Sequence, residues 1–327
     1  MLLRAFCVIL SAFPLLAVDA TLLNLVPADA KTVAGIDVRQ ATASPFGVFL
    51  LGKIQGDDKS FSDFVAATGF DPRRDLSEVV MATNGVGKDA HDHGVILARG
   101  TFDVPKILAA AQQHGAKTMK LNSIHIIQGR EERAGWVALL DDSTAVAGPQ
   151  AQVQAVLAQR GTGTQLASAL IDSVCDYSAR YHAWMVSTAP LGNLAANVPD
   201  KQISGAMQGG LAQSIQQVNG GVRFGSNIDV TGQAVTRSDK DAQALVDVVK
   251  FLAGLAQANS QNQPEAARFA KLLSSLNVKT DGSSMVMSLS LPEADIETLV
   301  NQAPATAKKS VRGADRGVTR QSPEGGR

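Results

Sequence analysis

One unit recurs along this chain, and it limits the possible folds more than any other feature: an alternating strand, a short polar turn, then an Ala-rich helix. The clearest period lies in "GVRFGSNIDVTG". There Val222, Phe224, Ile228 and Val230 share one face, while Arg223, Asn227 and Asp229 share the other. Strand side chains alternate between faces, so this spacing predicts half-buried strands. "SDKDAQALVDVVKFLAGLA" follows, with Ser238 as N-cap and Asp241 three residues on. Its Ala242, Leu245, Val249 and Leu252 make a stripe at helical spacing, the pattern of a helix laid on a core.

Three other stretches repeat the arrangement. In "HGVILARGTFDVPKILAAAQQHG", Val95, Leu97 and Arg99 alternate with Ile96 and Ala98. Asp103 can cap a helix from about Val104, Pro105 is tolerated in the first turn, and Gly115 stops it. In "AGWVALLDDSTAVAGPQAQVQAVLAQRG", Asp141, Asp142 and Ser143 turn one strand into the next and Pro149 opens a helix. In "SSMVMSLSLPEADIETLVNQA", Met285, Met287, Leu289 and Leu291 alternate with serines before a final short helix. Period-two strands joined by tight turns predict an α+β fold, with antiparallel sheets and helices packed on one face. The recurrence predicts two related halves, residues 21–163 and 164–303, meeting near "QRGTGTQ" at 159–165. "QANSQNQPE" at 257–265 reads as a polar break between two helices.

The two ends differ from this pattern. "MLLRAFCVILSAFPLLAVDA" carries one charge, Arg4, and then an apolar run from Ala5 to Ala17 with Pro14 near its end. That run is shorter than the roughly 20 residues a spanning helix needs. Residues 1–20 read as a secretory signal cleaved after about Ala20, giving a secreted or periplasmic protein. Cys7 would leave with the signal, and Cys175 would remain alone. At the other end, residues 304–327 hold Lys308, Lys309, Arg312, Arg316, Arg320 and Arg327 against Asp315 and Glu324. This Gly-, Pro- and Ser-rich tail has too little apolar surface to offset its ordering entropy and is expected to be disordered. Its charge suits weak association with anionic envelope polymers. Overall, 30 basic residues balance 30 acidic ones, so no global field favours nucleic acid.

Reactive signatures are sparse. "DAHDHG" at 89–94 sets His91 and His93 two apart, so in a strand both would point the same way as metal ligands can. Its position between "TNGVGK" and the strand "VILARG" fits a hairpin turn better. There is no G-x-S-x-G elbow, no H-E-x-x-H and no phosphate-binding loop. Cys175 lies in a probable helix with His182 seven residues on, where a lone cysteine on an apolar stripe is a core residue. Tyr177, Tyr181 and Trp184 read as core-edge aromatics. In "GFDPRRDLSEVV", Asp71 caps a short helix with Pro72 first, and the acidic neighbours of Arg73 and Arg74 offset an anion site.

That stretch, with "LVPADAKTVAGIDV", "SPFG" and "LLDDSTAVAGPQAQVQAVL", resembles a group of exported bacterial proteins of unknown function. The resemblance implies export and repeated α+β units, with no catalytic residue and no cofactor to carry over. The expected function is a non-catalytic binding or structural protein of the periplasm or cell exterior. Two alternatives are a hydrolase-type enzyme with a site of scattered residues, and a metal-binding protein using His91 and His93.

Overall fold

The computed structural model describes residues 18–49, 59–85, 93–129, 135–190, 210–259 and 275–302. The strands are β1 (Thr32–Asp37), β2 (Leu76–Thr83), β3 (Gly94–Gly100), β4 (Lys117–Leu121), β5 (Ile124–Gln128), β6 (Trp136–Leu139) and β7 (Thr144–Gly148), then β8 (Ala183–Ser187), β9 (Ile215–Phe224), β10 (Asn227–Thr236), β11 (Asn277–Asp281) and β12 (Ser284–Pro292). All twelve join one sheet in the order β11-β12-β10-β9-β8-β1-β2-β3-β7-β6-β5-β4, and every pairing is antiparallel. The fold is therefore α+β.

The helices form where the caps lead. α1 (Ala20–Leu23) starts at Asp19, α2 (Val38–Ala43) at Asp37, and α4 (Pro72–Asp75) at Asp71. α3 (Lys59–Thr68) precedes this last turn. α5 (Val104–Gln113) is capped by Asp103, whose Oδ1 accepts from the Lys106 amide at 3.2 Å, and Gly115 follows with φ +78°. Asp141 Oδ1 accepts from the Ser143 amide at 2.8 Å and tightens the turn from β6 to β7. α6 (Gln150–Gln159) opens after Pro149, and α7 (Ser168–Arg180) follows the loop in which Gly161 and Gly163 take positive φ. α8 (Gly210–Ser214) leads into β9, α9 (Asp239–Asn259) connects β10 to β11, and α10 (Glu293–Gln302) follows β12. α9 runs on as helix through Asn259; the rest of the polar stretch 257–265 lies outside the described residues.

Topology repeats across the sheet. β1-β2-β3 and β8-β9-β10 are three-strand meanders, each followed by a helix, α5 or α9. Each helix returns the chain to outer strands whose last member pairs with the third: β7 with β3, β12 with β10. The first set has one hairpin more. β1 and β8 meet at the centre with Ala34 opposite Met185. In that same pairing Gly35 lies opposite Trp184, and a Cβ on Gly35 would stand 2.5 Å from the indole ring.

Coverage changes along the sheet. On the front face, Val33, Val80, Ala82, Val95, Leu97, Val146, Trp184 and Val186 form the main core with Leu22 of α1, Val153 and Val156 of α6, and Leu170 and Val174 of α7. On the back face, α5 covers one end through Phe102, Val104, Ile107 and Leu139. α9 covers the other end, where Val246 meets Ala234, Val278 and Met285. The middle of the back face lies between these two helices.

Candidate functional site

The open middle of the back face carries apolar rows beside the hydroxyls of Thr83, Thr32 and Ser187. Its longest row follows the strand register: Ile96 on β3, Met81 on β2, Ala34 on β1, Met185 on β8, Gly220 on β9, Gly232 on β10 and Met287 on β12. The four large side chains are 42%, 51%, 41% and 38% exposed respectively. Val230, on the next row, is 36% exposed. Neighbouring strands are about 4.8 Å apart, so the seven positions span roughly 30 Å. Nothing within 3.9 Å would meet a Cβ on Gly220, whereas the Met287 side chain lies over Gly232. The row is thus a shallow trough whose bare backbone floor is at Gly220, beside Met185.

Under α7, the front face of the same strands is polar. Tyr177 Oη donates to Gln233 Oε1 at 3.2 Å, and Asn219 Nδ2 donates to the same oxygen at 3.0 Å. Gln217 Nε2 donates to Asn219 Oδ1 and to Ser173 Oγ. Asn219 is buried, so its amide meets the partners that burial demands. Amides of β9 and β10 therefore lie beneath a helix, while on the opposite face Val230 of β10, Met185 of β8 and Met287 of β12 point outward and Ile228 and Ala234 are buried.

A line of ionisable groups crosses the front face at one end of the strands. Arg99 stands opposite Glu78, Glu78 opposite Asp37, and Asp37 beside His182, whose carbonyl accepts the Asp37 amide. Burial raises the Glu78 carboxyl from an ordinary 4.5 to about 7; the Asp19 amide, donating to Oε2 at 3.0 Å, opposes this, and the Asp19 and Asp37 charges add to it. Asp19 also faces Arg99 at 3.3 Å. His182 Nδ1 accepts from the Phe224 amide at 2.9 Å, which sets the ring proton on Nε2. Burial lowers its pKa, Asp37 opposes that shift and Arg223 adds to it. Asp37, Arg39, Gln40, Ser44, His182 and Phe224 line a cleft of about 470 Å³. Ser44 and His182 are committed to backbone there: Ser44 Oγ donates to Ala41 O and accepts from the Gly47 amide. A hydroxyl held this way is not set up as a nucleophile beside a base.

The residues singled out from sequence are dispersed. His93 is exposed in the turn before β3, and His91 lies outside the described residues. Among the described residues, no three His, Cys, Asp or Glu side chains gather where a metal could sit. Cys175 is half-buried against the main core, and burial, with Asp172, pushes its thiol pKa up. Arg73 pairs with Asp71 and Arg74 with Asp75, and these side-chain hydrogen bonds hold both carboxyls below their ordinary range. Tyr177 and Tyr181 stack at 5.3 Å with Arg180 over both rings, and Trp184 is buried. Arg180 also pairs with Asp176. The basic tail 304–327 lies outside the described residues. No described helix is long and apolar enough to cross a membrane.

Sequence reading missed the trough. Its signal was present: "EVVMAT", "GVILAR" and "AWMVS" are apolar at both parities, as strands covered on both faces are.

No protein-family description matches the chain, and no curated protein matches it by sequence. Among solved structures, crystal form IV of TP0453 is similar with a TM-score of 0.53 at 9% identity, covering 87% of this chain and 98% of that one. Crystal form III of TP0453 gives 0.51 at 8% identity with the same coverage. At such identity the likeness is one of fold.

Proposed function

We propose that this is an exported, non-catalytic binding protein of the periplasm or cell exterior, and that it holds an elongated apolar ligand across the open middle of its sheet. The observation that supports this reading most is the row of exposed apolar side chains across the back face, over strands whose front face buries amides. Burying amides under α7 while leaving methionines outside costs stability in the isolated chain, because apolar area is worth about 25 cal/mol per Å² when removed from water. A ligand that covers the trough recovers that free energy. Methionine is suited to the task, being unbranched and polarisable and so adaptable to irregular apolar shapes. Exposed apolar patches of this kind mark interaction surfaces.

The test is the double variant Met81→Glu, Met185→Glu. Both side chains are about half exposed, so the thermal midpoint should stay close to that of the parent. Binding of the apolar dye anilinonaphthalene sulfonate should fall markedly, together with any apolar material that copurifies. A folded double variant that binds the dye as the parent does would refute the reading.

A further inference from the structure

The end of the leader is built into the fold, and this bears on where the leader is cut. Val18 is 8% exposed and belongs to the main core with Leu22 and Leu23. Its backbone nitrogen donates to Ser178 Oγ on α7 at 3.0 Å. Asp19 makes three separate contacts. Its Oδ1 accepts from the Thr21 amide at 2.7 Å and caps α1. Its Oδ2 faces Arg99 Nε at 3.3 Å. Its amide donates to Glu78 Oε2 at 3.0 Å.

A cut after Ala20, the position that the small residues Val18 and Ala20 suggest, would remove all of this. The core would lose a buried valine, α1 its cap, Arg99 its carboxylate, and the half-buried Glu78 carboxyl the Asp19 amide that donates to it, a loss that burial makes costly. Ala17 offers another small residue. It closes the apolar run, and Pro14, a residue type that ends helices, stands three positions before it.

We propose that the leader is removed between Ala17 and Val18, so that Val18, Asp19 and Ala20 remain as the docked first residues of the mature protein. This rests on the export reading above. The freed amine at Val18 keeps a hydrogen to donate to Ser178 in either protonation state, and the cost of burying a charge favours the neutral form there.

The full chain, produced with its leader in an exporting bacterium, gives the test by intact mass and N-terminal sequencing of the exported product. Val18 is the expected first residue. A product starting at Thr21 overturns the proposal and leaves export standing; soluble protein retaining Met1 overturns export as well. A second arm separates the two cuts. Bulky residues next to the cut block leader removal, so Ala17→Phe should abolish the product starting at Val18. Ala20→Phe, at an exposed position, should leave that product unchanged. The opposite pattern would overturn the proposal even if both variants export poorly.

Discussion

Glu78 gives the fold a pH dependence at the scale of one residue. Its folded pKa is about 7 against an ordinary 4.5, so between those values the folded chain keeps a proton that the unfolded chain has released. Stability from this group is then full below about 4.5 and is lost as pH rises through 7. The carboxyl keeps some solvent contact, which reduces the effect to something on the order of 1–2 kcal/mol. Glu78→Gln should flatten the fall in denaturant midpoint between about pH 5 and about pH 8; an unchanged slope in that variant would assign the pH dependence elsewhere. None of this was legible in sequence, because Glu78, Asp37 and His182 are far apart in the chain and only strand register brings them side by side. The Asp caps at 71 and 103 were legible, since a cap is decided by residues within one turn of it.

Elements were read best where local chemistry fixes both ends. Ser238 Oγ accepts from the Asp241 amide at 3.2 Å, the N-cap expected from their spacing, and donates to the Asp241 carboxylate at 2.8 Å. Ser238→Ala should therefore cost about 1 kcal/mol, measured as faster hydrogen exchange in the first turns of α9; exchange unaltered there would mean that the helix is held by its packing alone. Of the stripe on that helix, Ala242 is buried and Leu245 and Val249 pack on the small cluster, so only its end was misread. Val246, at 2% exposure, is its centre, while Leu252 is 42% exposed. Apolar residues surround much of α9, including Val248 and Phe251, so spacing alone does not say which of them meets Ala234 and Met285. The β9–β10 hairpin shows the same limit. Its alternation was read correctly, but which face a helix covers is decided by α7 and α9, elements distant in sequence.

At the scale of the whole molecule, the core is uneven. The main cluster runs from α1 through β1–β3 and β8 to α7, whereas the α9 end rests on a small cluster of Ala234, Val246, Val278 and Met285. Local stability follows buried apolar contact, so amides of β11, β12 and α9 should exchange faster than those of β1, β2 and β8. Uniform protection across the sheet would show that the two ends unfold as one. The α+β class was legible from period and turns; the single continuous sheet was not, since nothing local announces that β1 will pair with β8. That central seam has a consequence of its own. A slip of one residue between β1 and β8 would exchange the faces of every side chain across the joint, sending Trp184 outward and Met185 into the core. Gly35 is the notch that receives the indole, and either neighbour, Ala34 or Ile36, would set a Cβ where the ring must lie. One missing methyl group thus acts as a key between the two halves, admitting a single alignment and refusing those on either side of it.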